Sequence, residues 1–284
     1  MEIQSLKFFR TVAAEGSFSK AAQKLNYAQS NLSTRINQLE KELGVSLFHR
    51  YSYGVTLTPR GEQLLQYATA LLNIAEETEK AMRDGGIAKG RLTIGSMQST
   101  AMTVLPSMLA KYHAAFPQVS LCVKTGTTET SLRGVLDHRL DGAFVAGPVQ
   151  HPELVVKEIR REQLVLVAAV GTDLSTDLYA ALQQPLLVFP QGCSYRKMLE
   201  RWLADEGIFA AETIEFDSIN AIIASVSAGL GISLFPKNVI DAYAGSGTLQ
   251  YREIPACYAD ISTVFIYRKN EYMETSLKKF IQAL

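Results

Sequence analysis

Cysteine is scarce in this 284-residue chain, and long apolar runs are absent. The three cysteines are too few and too scattered for a disulfide framework or a zinc site, and the four histidines also lack metal-ligand spacing. No stretch approaches the roughly 20 apolar residues of a membrane-spanning helix, and the charged N-terminal segment is unlike a secretory signal. We therefore expect a cytoplasmic protein with no metal site, no cofactor and no membrane contact.

Net charge is also absent, since 28 Lys and Arg residues balance 28 Asp and Glu residues. The charges are unevenly distributed along the chain. Residues 1–60 carry eight basic and four acidic side chains, whereas 61–90 and 91–284 are each acidic overall. A small basic excess is common on any solvated surface, but its confinement to the N-terminus indicates where a polyanion would bind.

Residues 1–58 are predicted to form a winged helix-turn-helix. Apolar residues recur at helical spacing near the start, Gly16 ends that helix, and Ser17 is placed to cap the next one. A longer helix is predicted over Gln29–Leu43, followed by two short strands around a tyrosine-rich tip. Three helices followed by a hairpin are typical of a winged DNA-binding module.

Residues 59–84 are predicted to be a linker helix that pairs two copies of the chain. Thr58 and Pro59 are typical of a helix start, and a glycine-rich hinge is expected over 85–90. The apolar face of this helix has no neighbouring sequence to pack on, so we expect a second copy to cover it. The face comprises Leu64, Leu65, Ala68, Leu71, Leu72 and Ala75.

From residue 91 onward, predicted strands alternate with helices, which favours a mostly parallel sheet with both faces covered. One helix is expected over 101–115, two strands over 155–160 and 163–170, and one long strand over 258–267. These strands are more numerous than one compact sheet usually holds. We therefore expect two α/β lobes with a cleft between them.

The segments GSFSKAAQKLNYAQSNLSTRINQLEKELGVSLFHR and VTLTPRGEQLL resemble the N-terminal signature of the LysR-type transcriptional regulators, without a gap from Gly16 to Gly61. Later fragments such as LTIGSMQST and VSAGLGISLFP extend the resemblance over essentially the whole chain. It implies a winged helix-turn-helix, a dimerising linker helix and a two-lobed effector domain similar to the periplasmic binding proteins. In that arrangement lobe 1 combines 91–161 with 267–284, lobe 2 is 162–266, and family members are commonly tetramers built from dimers.

The helix that begins near Ala28 carries short polar side chains opposite its apolar stripe, as a helix in the major groove of double-stranded DNA requires. The resemblance aligns Gln29 and Ser33 with family contact positions, and a glutamine can pair with an adenine edge. The predicted DNA contacts are Ser17, Gln29, Ser30, Ser33, Thr34, Arg35, Arg50 and Tyr53. Two departures from the family pattern predict weaker recognition of DNA. Ala28 lacks the hydroxyl that is common in the family, and the wing tip has tyrosines in place of an arginine that enters the minor groove.

Three loops at predicted strand ends align with effector contacts of the family. Their hydroxyls, helix-start N–H groups and one arginine favour a small organic anion such as a carboxylate, whereas Asp217 could instead receive an amine. Taken singly, each loop is equally well explained by ordinary helix capping. The predicted contacts are Ser99, Thr100, Thr127, Thr128, Cys193, Ser194, Arg196 and Asp217.

Cys193 also admits a second interpretation. A helix N-terminus beside Arg196 would lower the pKa of this thiol and suit a redox switch, but no cysteine lies nearby in sequence, so a small buried residue is favoured. Two other functions share the expected fold, namely a cytoplasmic or exported small-molecule-binding protein and an enzyme. Against a binding protein, the chain has no secretory signal, and the N-terminal module would have no role. Against an enzyme, no set of residues typical of catalysis is evident. We therefore expect a DNA-binding regulator controlled by an effector, and not an enzyme.

Overall fold

The protein is described by a computed structural model over residues 1–83, 85–174, 181–182, 184–209, 212–243, 247–269 and 273–284. Its contacts divide it into an N-terminal unit, Met1–Asp84 with Asp137–Arg139, and a larger unit that holds the remaining residues from Gly85 on. Asp84, the expected last residue of the linker, lies outside the described residues. None of the described helices combines the length and the apolar character that crossing a membrane requires.

The N-terminal unit has the predicted winged helix-turn-helix. Gly16 and Asn26 adopt the left-handed conformation that ends the first two helices, and the Ser17 hydroxyl accepts a hydrogen bond from the backbone N–H of Lys20 at 3.4 Å. The two strands pair antiparallel from Phe48–Leu57 to Tyr51–Gly54. Its elements are α1 (Ile3–Glu15), α2 (Phe18–Leu25), α3 (Gln29–Leu43), β1 (Phe48–Tyr51), β2 (Gly54–Leu57) and α4 (Pro59–Arg83).

Helix α4 belongs to the core of this unit, which corrects the expectation that a second copy covers its whole apolar face. Ala68 and Leu72 are fully buried among α1, α3 and the wing, and Leu64 and Leu65 pack partly against the same cluster. Sequence spacing missed this because α1 lies alongside α4 although some fifty residues separate them in the chain.

The second unit is a mixed α/β domain. Its strands are β3 (Gly90–Ser96), β4 (Val119–Thr125), β5 (Gly142–Ala146), β6 (Leu154–Ala169), β7 (Leu186–Val188), β8 (Thr213–Glu215), β9 (Ser233–Pro236), β10 (Leu249–Glu253) and β11 (Asp260–Arg268). Its helices are α5 (Gln98–Thr103), α6 (Leu105–Ala115), α7 (Thr128–Leu136), α8 (Ser194–Asp205), α9 (Ile219–Ser227), α10 (Lys237–Asp241), α11 (Ala256–Ala259) and α12 (Thr275–Ala283). The single helix expected over 101–115 is therefore two helices, α5 and α6.

The sheet is mixed, and not mostly parallel as expected. In lobe 1, β3 is parallel to β4 and β5, but β11 is antiparallel to both β5 and β6. In lobe 2, β9 and β10 flank β6 in antiparallel pairs, while β7 and β8 form a separate parallel pair. The cause is that β6 leads the chain out of lobe 1 into lobe 2 and β11 leads it back beside β6, so these two strands run in opposite directions.

One strand, β6, runs through both lobes where two were expected. Its residues up to Gln163 pair with β11 of lobe 1, and Leu164 onward pairs with β9 of lobe 2. The return to lobe 1 also comes earlier than the expected 266/267 step, because β11 already pairs with lobe 1 from Asp260. Lobe 2 thus spans about 164–259. The C-terminal α12 packs into the core of lobe 1 through Phe280.

Candidate nucleic-acid interface and ligand cavity

A cavity of about 350 Å³ lies where two pairs of parallel strands end. In lobe 1, Ser96 of β3 is paired with Thr125 of β4, so the loops after these strands begin side by side. In lobe 2, Val188 of β7 is paired with Glu215 of β8, which brings the next two loops together. The carboxyl ends of strands are where open α/β sheets bind ligands, because helix N-termini follow them.

Six of the eight predicted effector contacts line this cavity. Hydroxyl groups dominate the polar part of the lining, and an aromatic ring, a proline and a methionine supply its apolar part. The lining residues are Met97, Gln98, Ser99, Thr125, Gly126, Thr127, Thr128, Thr130, Phe189, Pro190, Cys193, Ser194, Tyr195 and Asp217.

The other two predicted contacts, Thr100 and Arg196, are not in the lining. The Arg196 guanidinium donates to Glu200 at 2.7 Å, to Glu215 at 2.5 Å and to the carbonyl oxygen of Phe189 at 3.0 Å. Two carboxylates therefore take up its charge outside the cavity. Thr100 lies one residue further along α5 than the lining residue Ser99, and it is 2% exposed.

Several lining side chains join the two lobes directly. The Ser99 hydroxyl lies 2.6 Å from the Tyr195 hydroxyl, and Ser194 donates to Thr128 at 3.1 Å. The Gln98 amide is bonded twice, since it donates to the carbonyl oxygen of Asp217 at 2.5 Å and accepts from the N–H of Ile219 at 2.8 Å. Gln98 and Tyr195 were not predicted. A polar residue beside the aligned Ser99, and an aromatic residue beside Ser194, were the available signals.

Burial keeps two lining groups neutral. It raises the pKa of the Cys193 thiol, and the N–H groups of Arg196 and Tyr195 oppose this only in part. It also raises the pKa of Tyr195 well above its ordinary value. The redox interpretation requires a lowered thiol pKa, whereas desolvation here outweighs the N–H groups and favours the small buried residue. Among the described residues, no group of three His, Cys, Asp or Glu side chains could hold a metal ion.

The first two turns of α3 form the polar surface of the N-terminal unit. Gln29, Ser30 and Thr34 are exposed, and Ser33 is half-buried. The Thr34 hydroxyl donates to the carbonyl oxygen of Ser30 at 2.9 Å, which leaves its oxygen free to accept a further hydrogen bond. All of these groups are short donors or acceptors of the kind that read base edges.

Gln29 is held by a residue that the sequence analysis did not select. The Ser19 hydroxyl, one residue inside α2, donates to Gln29 Oε1 at 3.1 Å. This bond restrains the amide while its two N–H groups remain available. Helix α2 thus orients the first side chain of α3.

The two arginines predicted to contact DNA are both held by carboxylates. Arg35 donates to Glu2 at 3.2 Å. Arg50 donates to Glu40 at 3.1 Å, and its guanidinium lies 5.2 Å from the centre of the Phe18 ring. The carboxylates therefore partly neutralise the charge that these two arginines could offer to a DNA phosphate. Lys20, exposed at the start of α2, is a cation that sequence reasoning did not include.

The wing tip is aromatic. The rings of Tyr51 and Tyr53 are stacked with centroids 5.3 Å apart and planes 10° from parallel, and Tyr53 is 85% exposed. A stacked pair offers a flat apolar surface with two hydroxyl groups, where an arginine would offer a charge. Ser17, by contrast, is occupied as the cap of α2.

The exposed side of α4 carries a second apolar stripe. Tyr67, Leu71 and Ile74 follow one another at helical spacing and are 63%, 43% and 43% exposed. Of the six residues predicted for dimerisation, Ala68 and Leu72 are buried within their own unit, and Leu71 is the one that lies in this stripe.

Two family models match the two parts of the chain. The model described as the bacterial regulatory helix-turn-helix protein of the lysR family matches residues 3–62, and that of the LysR substrate binding domain matches residues 85–284. Together they extend from α1 to the C-terminus.

The chain is also similar over its length to individual proteins. The HTH-type transcriptional regulator GltR of Bacillus subtilis (strain 168) is 42% identical over 281 residues, which cover 99% of this chain and 95% of GltR. The regulator CzcR of Bacillus thuringiensis subsp. konkukian is 40% identical, covering 100% of this chain and 97% of CzcR. A crystal structure of full-length CbnR complexed with its target DNA shares the fold, with a TM-score of 0.72 at 23% identity over 100% of this chain and 98% of that one.

Proposed function

The chain belongs to the LysR family of bacterial transcriptional regulators, and from this premise we propose that a small organic effector in the inter-lobe cavity controls its binding to double-stranded DNA. The observation that carries the proposal is the presence, in one chain, of a helix with an exposed polar face and of a cavity built from four strand ends. We also propose a cytoplasmic location, because the DNA that such a regulator binds lies in the bacterial cytoplasm.

In this proposal α3 enters the major groove with Gln29, Ser30, Ser33 and Thr34 toward the bases. Arg35 and Arg50 turn to phosphates when DNA competes with their carboxylate partners, and Tyr53 contacts the backbone from the wing. A footprint of the full-length protein on DNA flanking its own gene tests this. A protected stretch is expected there, and a failure to protect any part of that DNA would contradict the proposal.

The exposed stripe on α4 supports self-association. Tyr67, Leu71 and Ile74 form an apolar strip that a second copy would cover, and LysR-type regulators pair through this helix. We propose a homodimer joined at this strip and a tetramer built from two dimers. Sedimentation of the full-length protein should give species larger than 31.2 kDa, and a monomer at micromolar concentration would contradict it.

The effector is proposed to be a carboxylate-bearing metabolite that is bound and released unchanged. Helix starts favour a carboxylate, and no histidine or lysine is among the described residues that line the cavity, so a hydroxyl there has no such base beside it. A thermal-shift screen of metabolites on the full-length protein identifies binders. A binder should alter the footprint and be recovered intact, and its conversion to a product would contradict the absence of catalysis.

A further inference from the structure

One ionised side chain, the carboxylate of Asp217, lines the inter-lobe cavity among the residues that the structure describes. No described lysine, arginine or histidine lines the cavity or is ion-paired with this carboxylate. Its backbone is held on both sides, because the N–H of Phe216 donates to the carbonyl oxygen of Val188 at 2.9 Å and Ser218 caps α9. Asp217 is exposed, so the cavity carries at this place a negative charge that water reaches and that no described cation pairs with.

Elsewhere the cavity wall is rich in hydrogen-bond donors. Helices α7 and α8 both begin there, one from each lobe, and the hydroxyls of Thr128 and Ser194 at these starts are bonded at 3.1 Å. First-turn N–H groups carry a partial positive charge. The Thr127 hydroxyl accepts the N–H of Thr130, and the Cys193 thiol accepts those of Tyr195 and Arg196. Among the described contacts, the N–H groups of Thr128, Glu129 and Ser194 remain for a ligand. The two helix starts thus face the same part of the cavity and suit a carboxylate.

We propose that the effector is a small zwitterion, with its ammonium group at Asp217 and its carboxylate at the starts of α7 and α8. This inference rests on the proposed function, since it assigns the chemical class of the same effector. A ligand that is only an anion meets Asp217 with no cation in the lining to offset the repulsion. A ligand that is only an amine leaves the donors at the helix starts unused.

The size and the remaining lining agree with a free amino acid. A cavity of about 350 Å³ is at the small end of the range for ligand sites. Met97, Phe189 and Pro190 give it an apolar wall on which a side chain can pack. A free α-amino acid carries both charged groups on one carbon atom and leaves its side chain for that wall.

The experiment compares ligands that differ only in charge. The full-length protein is screened by thermal shift against the twenty free amino acids, and the strongest binder is then measured by calorimetry beside its decarboxylated amine and its deaminated acid. We expect both analogues to bind at least about tenfold more weakly, since each loses one charge-assisted hydrogen bond.

The variant Asp217→Asn separates the role of the carboxylate from folding. The bond from Gln98 goes to the backbone oxygen of Asp217, so the substitution leaves it in place. We expect about tenfold weaker binding of the amino acid, no loss for the deaminated acid, and an unchanged melting temperature without ligand. Asp241→Asn, an exposed carboxylate that does not line the cavity, is the matched control and should bind as the wild type does.

Three results would overturn the inference: no shift with any amino acid, a deaminated acid that binds as tightly as its parent, or an Asp217→Asn variant with unchanged affinity. If an acid without an amine binds and alters the footprint, the proposed function stands and the zwitterion is wrong. If no footprint exists at all, the proposed function itself fails.

Discussion

The Gln98 side chain links the two lobes of the ligand-binding unit, and its removal should loosen them measurably. Its amide bonds both to the carbonyl oxygen of Asp217, at 2.5 Å, and to the N–H of Ile219, at 2.8 Å. A net hydrogen bond contributes about 0.5–1.5 kcal/mol, and this side chain is only half-buried. We therefore expect Gln98→Ala to lower the free energy of separating the two lobes by about 1–2 kcal/mol.

Hydrogen exchange in the full-length protein measures this loss where it occurs. The N–H of Ile219 lies at the start of α9, where no helical carbonyl accepts it, so the Gln98 oxygen is its protection. A loss of about 1–2 kcal/mol corresponds to roughly 5–30-fold faster exchange at this amide. Gln98→Glu keeps an acceptor for Ile219 but places a carboxylate against the Asp217 oxygen, so it should lie between the wild type and Gln98→Ala.

Gln118→Ala is the matched control, because Gln118 is an exposed glutamine of the same lobe. It should leave the exchange of the Ile219 amide unchanged. Equal exchange at Ile219 in the wild type and in Gln98→Ala would refute the reasoning, since the lobes would then be held by other contacts. The remaining bonds between Ser99 and Tyr195 and between Thr128 and Ser194 would be those contacts.

Four further predictions rest on burial and on the polar face of α3. Leu72→Ala should lower the free energy of unfolding of the N-terminal unit by about 2–4 kcal/mol, measured by denaturant titration, because Leu72 is fully buried. Leu71→Ala should weaken self-association, measured by sedimentation, and leave unfolding nearly unchanged. Equal effects of the two variants in both assays would contradict the assignment of one face of α4 to the core and the other to self-association. Gln29→Ala should reduce the difference in binding free energy between the operator and a single-base variant by about 1–3 kcal/mol, measured by titrating each DNA with the protein. An unaltered preference would show that Gln29 does not contact a base. Cys193 should react with iodoacetamide at pH 7 far more slowly than the exposed Cys257, because burial raises its pKa; faster reaction at Cys193 would favour the redox interpretation. Because the pKa of the Cys193 thiol is higher in the folded state than in the unfolded state, the unfolded state loses this proton first as pH rises above the ordinary thiol value of 9.0. The free energy of unfolding should therefore fall as pH rises above that value.

The winged helix-turn-helix was predictable because its signals are local. Gly16 ends a helix, Ser17 caps the next, and the stripe of α3 repeats within fifteen residues. The paired strand ends of the cavity were also reachable, since each predicted loop follows a strand directly. What the residues of α3 contact in DNA remains a prediction, because exposure alone does not identify a base.

The errors lie where residues distant in sequence come together. The spacing within α4 predicts that a second copy covers its whole apolar face, because it cannot reveal α1, which helps to bury Ala68 and Leu72. The sequence predicts two strands in place of β6, because the first half of β6 pairs with β11 and its second half with β9, each around seventy or more residues away. Register over such distances depends on the whole fold.

Charge was the property least accessible from the sequence. Arg196 follows Cys193 and Ser194 by a few residues, and proximity in sequence suggested both an anion clamp and an activated thiol. In the fold, Glu200 and Glu215 take up that cation, while burial keeps the thiol neutral. The wrong placement of Arg196 and the unsupported alternative of an activated thiol have one origin, because the electrostatic effect of a side chain depends on which groups surround it in three dimensions. Once Arg196 is removed from the cavity, Asp217 becomes the charge that a ligand must satisfy, and the expected effector changes from a simple anion to a molecule that also carries an amine.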